Sequence, residues 1–302
     1  MSGPCIYFYQ KPFTVNSEQM GCYYFNILQA VEYCRSLNAT LVPPLFPLCP
    51  RDNTMVEVYK SMHWENSILT IDSISSTEVL EYTIPTMPLD EFIQASSKRV
   101  NMKYLTLEIN TVTFNQDLQS PFWILDMTPR WDLQGNAMSF FYSKLYKTLP
   151  LKYINLSNME IIKPCLGVHW RRGDRGNITM GEIGQRLWNS TEPDQVAKHI
   201  NSYLEHHPTI KSVYISTNSG SKRDRSNLES LIHAPVYFLS RPNTNPLDHW
   251  KWDLTDLFLC SSATHILLSP GGLQHSSAFG RLIYAEALRK NPDLSVTSMP
   301  LL

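Results

Sequence analysis

Cys165-Leu166-Gly167-Val168-His169-Trp170-Arg171-Arg172-Gly173-Asp174-Arg175 sets an apolar run directly against a basic one. The first half has the length and composition of a buried strand. The second half breaks at once into three arginines, a glycine and an aspartate. Arginine offers a planar fork that binds phosphate oxygens bidentately and keeps its charge at any working pH. In open α/β sheets, ligands collect beyond the carboxyl ends of the strands, which is where this cluster falls. A basic tripeptide can also be a solvated charge run. The abrupt switch from apolar to basic, with Gly173 freeing the backbone, favours the anion-binding reading.

Strand and helix patterns alternate downstream of this segment. Asp194 to Leu204 reads as a helix ended by His206-His207-Pro208, and Ser212 to Ser216 as a strand. Arg225 to Ile232 is a helix, Val236 to Leu239 a strand, Asp253 to Cys260 a helix and His265 to Leu268 a strand. Ser276 to Arg289 is the last long helix. Such alternation predicts a parallel, Rossmann-like sheet with right-handed crossovers.

The upstream half is less periodic. Ile6 to Tyr9 is a strand candidate, and Asn26 to Leu37 carries Ile27, Ala30, Val31 and Cys34 at helical spacing. Leu41-Val42-Pro43-Pro44 is a strand stopped by prolines, and Met87 to Ile93 a strand end leading into an acidic helix start. Trp123 and Trp131 read as packing residues. The sequence predicts two domains, residues 1–155 and 156–302.

Composition narrows the function classes. Of 302 residues, 43% are hydrophobic and 18% charged, as in an ordinary globular protein. The net charge of −1 argues against a general nucleic-acid or anionic-membrane surface, so any basic site is local. The N-terminus lacks a charged segment followed by an apolar one, and no later stretch has the length of a membrane span. A cytoplasmic location is expected. The six cysteines show no metal-ligand spacing and read as free thiols. Sequons at Asn38, Asn155, Asn177 and Asn189 read as chance matches, since a glycan at Asn177 would crowd the arginine cluster.

Three strand ends deliver polar residues to one edge. His169 and Arg171 to Asp174 follow the first, Ser216 to Ser219 the second. Ser269-Pro-Gly-Gly-Leu-Gln-His-Ser276-Ser277 follows the last and feeds a helix. Backbone N–H groups, hydroxyls and the dipole at such a helix start favour an anionic oxygen, although Ser276 and Ser277 also suit a plain N-cap. Asp256 is either a solvated helix-face residue or an acceptor for a nucleobase. The sequence carries neither common phosphate-loop pattern, and no cluster has metal spacing.

Val168-His169-Trp170-Arg171-Arg172-Gly173-Asp174 resembles the His-x-Arg motif of the fucosyltransferase superfamily, and further segments match its protein O-fucosyltransferase group in order. Gly21 to Asn26 with Leu37 to Pro44 resembles the N-terminal Gly-x-x-x-Asn turn, helix and strand of that group. Met87 to Ile93, Ser212 to Asn218, Asp256-Leu-Phe-Leu, and Ser276-Ser277-Ala-Phe279 resemble its later motifs. Asn218 stands where the group has Asp.

The resemblance implies an α/β GT-B fold of two Rossmann-like domains with the active site in the cleft between them. The implied activity is metal-independent, inverting transfer of L-fucose from a GDP-fucose donor to a glycan or glycoprotein acceptor, with no cofactor required. Arg171 is implied as the catalytic residue bearing the leaving group's charge. Asn26, His169, Arg171, Arg172, Asp256, Ser276, Ser277 and Phe279 are implied as donor-binding. A different donor, for example UDP-xylose, a non-catalytic nucleotide-sugar-binding module and a phosphate-ester enzyme remain alternatives.

Overall fold

Short apolar runs separated by helices can bury both faces only in a parallel sheet, and two such sheets are present. The computed structural model describes residues 5–9, 30–31, 34–35, 37–43, 45–47, 73–75, 82, 84–96, 101–102, 122–126, 161–172, 181–240, 249–271 and 278–301. The chain divides into two compact units: Met1–Tyr153 with Asn245–Trp250, and Ile154–Thr244 with Lys251–Leu302.

The first unit contains β1 (Cys5–Tyr9), β2 (Thr40–Val42), β3 (Leu45–Pro47) and β4 (Ser73–Ser75). Helix α1 (Leu89–Ser96), β5 (Asn101–Met102) and β6 (Phe122–Asp126) follow. Four strands form a parallel sheet in the order β2-β1-β6-β5, while β3 and β4 pair antiparallel. Ala30, Val31 and Cys34 are helical and fully buried, as their spacing predicts, and α1 opens on Asp90 and Glu91. Acidic residues there complement the helix dipole.

The second unit carries the long alternation: β7 (Cys165–Trp170), α2 (Gly181–Ser190), α3 (Pro193–His206), β8 (Ser212–Thr217) and α4 (Lys222–Leu231). Then come β9 (Val236–Phe238), α5 (His249–Ser261), β10 (His265–Leu268), α6 (Ala278–Lys290) and β11 (Val296–Ser298). All five strands are parallel, in the order β11-β10-β7-β8-β9. β7 is central and every one of its residues is buried, which is why it reads as an unbroken apolar run. The strand order runs outward from β7 in both directions, the doubly wound pattern whose switch point lies between β7 and β10.

One glycine makes this packing possible. A β-carbon at Gly167 would lie 2.5 Å from the Cys260 carbonyl oxygen and 2.9 Å from the Ala263 β-carbon. The end of α5 therefore rests directly on the middle of β7. Helix α2 and strand β11 were not anticipated. α2 buries only Gly184, Leu187 and Ser190, and β11 is a partly exposed edge strand.

Candidate active site

His169, Arg171, Arg172, Asp256 and Phe279 all lie in the second unit. β7 and β10 pair in register as far as Val168 and Leu267, where their backbone ladder stops. The hydroxyl of Ser269 takes over. It donates to the His169 carbonyl at 2.7 Å and accepts the Arg171 amide at 2.8 Å. At the other end of β10, the hydroxyl of Thr264 does the same for Cys165, accepting its amide at 3.1 Å and donating to its carbonyl at 2.8 Å. A hydroxyl at each end thus completes the pairing of β7 with β10.

On the β8 side, the Asn218 side-chain oxygen accepts the Arg172 amide at 2.9 Å. Trp170 is wholly buried and its indole N–H donates to the Thr191 carbonyl at 2.9 Å, so the strand end is locked from beneath as well.

His169 is buried, and its ring packs against the first turn of α6. Its centroid lies 6.2 Å from that of Phe279, and a β-carbon at Gly280 would come within 2.8 Å of its Nδ1. The structure therefore brings together His169 and Phe279, which lie 110 positions apart in the sequence.

Arg172 was expected as a second donor contact, and its side chain has several partners within the unit. Its guanidinium turns into the unit and lies 3.6 Å from the centroid of the Trp188 ring. Nη2 meets Glu192 Oε2 at 2.8 Å, Nε meets Asp224 Oδ2 at 3.4 Å, and Nη1 donates to the Trp188 carbonyl at 3.2 Å. Two carboxylates, a carbonyl and an aromatic face occupy the planar fork that was expected to hold phosphate. Arg172 ties the end of α2, the start of α3 and the first turn of α4 to the end of β7.

Asp256 is buried on α5, which removes the solvated-face reading. Its Oδ1 accepts from the Tyr214 hydroxyl at 2.6 Å and its Oδ2 from the Ser216 hydroxyl at 2.9 Å, both from β8. Burial pushes the Cys260 thiol well above the ordinary range, with the Asp256 charge adding to the effect. Cys165 is likewise pushed up by burial, so neither buried thiol is set up as a nucleophile. Asn26, Ser276 and Ser277 lie outside the described residues. Among the described residues, no group of three or more His, Cys, Asp or Glu side chains is placed to hold a metal ion, and no helix is long and apolar enough to cross a membrane.

Sequence reasoning missed Gly280, the bridging role of Ser269 and the partners of Arg172. For Ser269 a signal existed, since a lone hydroxyl directly after an apolar strand can cap its ladder. For Glu192 and Asp224 none did, because nothing in their spacing links them to Arg172.

No family model matches the sequence, and no curated protein matches it. Solved structures do. The chain is similar in fold to POFUT1 in complex with GDP, with a TM-score of 0.52 at 11% identity over 98% of this chain and 99% of that one. It is also similar to NodZ α-1,6-fucosyltransferase soaked with GDP-fucose, with a TM-score of 0.51 at 14% identity over 93% and 92% of the two chains. Fucosyltransferase NodZ from Bradyrhizobium gives a TM-score of 0.53 at 12% identity over 93% and 92%. Along nearly its whole length, the chain has an α/β fold similar to that of these fucosyltransferases.

Proposed function

We propose that this protein is an inverting, metal-independent glycosyltransferase that moves L-fucose from GDP-fucose to a hydroxyl of a glycan or glycoprotein. One observation carries the reading. The motif His169-Trp170-Arg171 ends the central strand at the switch point between β7 and β10, where ligands of doubly wound sheets bind. The likeness of fold to fucosyltransferases solved with GDP or GDP-fucose supports the donor class.

The chemistry follows from charge. As the bond between the sugar's anomeric carbon and the diphosphate oxygen breaks, the sugar becomes oxocarbenium-like and negative charge grows on the leaving diphosphate. The acceptor oxygen attacks from the opposite face, which inverts the anomeric centre, and its proton passes to solvent or a nearby base. Arg171 stabilises the departing charge electrostatically, a task that a divalent cation performs in other transferases. His169 and Phe279 wall the sugar and phosphate side. The family resemblance assigns further donor contacts to Ser276, Ser277 and Asn26, and Arg172 acts from behind as a strut.

One observation favours a second donor. Both oxygens of Asp256, the carboxylate assigned to guanine, already accept internal hydrogen bonds, which leaves a guanine only their remaining lone pairs. A uridine donor such as UDP-xylose would not need that contact.

Calorimetric titration with GDP and UDP, followed by a transfer assay with GDP-fucose in the presence of a chelator, tests the reading. GDP binding and chelator-resistant turnover are expected. UDP binding without GDP binding overturns the fucose donor. Binding of a nucleotide sugar with neither hydrolysis nor transfer assigns the chain instead as a binding module.

A further inference from the structure

We propose that Ser269 and Asn218 are positioning residues that clamp the end of β7 from its two sides and so hold Arg171 ready for an anion; the inference rests on the donor reading above. Successive amides of an extended strand point to opposite neighbours. The β10 pairing ends at Val168 and the β8 pairing at Trp170. The Arg171 amide is taken by Ser269, just beyond β10, and the Arg172 amide by Asn218, just beyond β8. Two polar side chains thereby carry the strand geometry past the point where the sheet ends.

The clamp has a chemical consequence. Phosphate loops bind oxyanions through successive backbone N–H groups. Here both candidate N–H groups are given to side chains, and the Arg172 fork is given to Glu192, Asp224 and Trp188. In the donor reading above it is the Arg171 side chain that meets the anion, and its grip depends on how firmly the Arg171 backbone is fixed. An acceptor oxygen is all the Arg172 amide requires at position 218. Asn supplies it without placing a negative charge beside the arginine pair, which is a physical reason for an amide there.

The test is a double-mutant cycle read by calorimetric binding of GDP, UDP and inorganic pyrophosphate to wild type, Ser269→Ala, Asn218→Ala, Arg171→Ala and the two doubles with Arg171→Ala. Binding stoichiometry reports the folded fraction, so partial unfolding changes the stoichiometry and leaves the affinity. Loss of either hydrogen bond is expected to weaken diphosphate binding about five- to tenfold. In the Arg171→Ala background the same substitutions are expected to change affinity by less than about twofold, since residues acting through one group are non-additive. Equal losses in both backgrounds, or single variants within about twofold of wild type, overturn the clamp while leaving the donor reading intact. No diphosphate binding by the wild type overturns the donor reading itself, and the clamp with it.

Discussion

The imidazole of His169 lies flush against the backbone of Gly280, with room for no β-carbon between them: one placed there would sit 2.8 Å from Nδ1 and 3.0 Å from Cε1. The ring is held from behind by the first turn of α6, so its position is set by the absence of a side chain. Gly280→Ala should push the ring by several tenths of an ångström while leaving the fold intact. Misplacement on that scale is expected to lower turnover about tenfold to a hundredfold. Initial rates measured beside a thermal melt check it: an unchanged rate with an unchanged melt would show that the ring position is not critical.

Arg172→Met should destabilise the second unit by about 2 kcal/mol. The arginine side chain is 8% exposed, but Glu192 and Asp224 are 39% and 29% exposed and can recover hydration. The loss therefore falls below that of a fully buried pair. Arg172→Lys keeps the charge and loses both the fork and the stacking on Trp188, so it should recover less than half of the deficit. Urea unfolding of the three proteins measures this, and full recovery by lysine would contradict it.

Gly167→Ala places a methyl group against a backbone carbonyl, which cannot rotate away as a side chain can. Overpacking of this kind is expected to cost about 1–3 kcal/mol, toward the upper end here because α5 must shift as a body. A melting temperature within a degree of wild type would count against it.

Lys290 gives a pH signature. Its ammonium donates to the Ser261 and Ser262 hydroxyls at 2.9 and 2.8 Å and stands 3.7 Å from the Phe258 ring centroid, closing the end of α5. Burial is the main cause that lowers its pKa from 10.5 to about 8, with Glu286 opposing the shift. Because the folded value is the lower one, unfolding takes up a proton between about pH 8 and 10.5. The stability contributed by this group therefore rises with pH across that window. Wild type should gain stability relative to Lys290→Met between pH 8 and 10.5, and a flat difference in denaturant midpoints would refute the linkage.

Most of the second unit was legible because β7, β8, β9 and β10 are short, largely apolar runs separated by helical patterns, whereas the short, half-exposed β11 is not. His265–Leu268 stands as a strand with the boundaries read from the sequence. β6 is absent from the sequence reading, which takes Trp123 as a packing residue, although Ser120-Pro121 and Pro129 punctuate the short apolar run on both sides. Residue type in a sharp local switch, as at His169 and Arg171, is what points to a candidate site in the sequence. The orientation of Arg172 was not legible, for a physical reason. Local sequence shows that a guanidinium is present but not which way it faces, and its partners Glu192 and Asp224 come from helices 20 and 52 positions downstream.

The hydroxyl of Ser269 belongs to a residue made 98 positions after the amide it accepts. No hairpin joins any two strands of the second sheet, so every strand pair in it closes over a long loop. Parallel pairings of this kind form late and slowly. During synthesis the segment around Arg171 therefore emerges with its charge and its apolar strand but without the neighbour on its β10 side. Until β10 arrives, an unpaired apolar strand is carried on an unfinished chain, a state prone to aggregation. The most legible motif in the sequence is among the last features of the folded protein to be assembled.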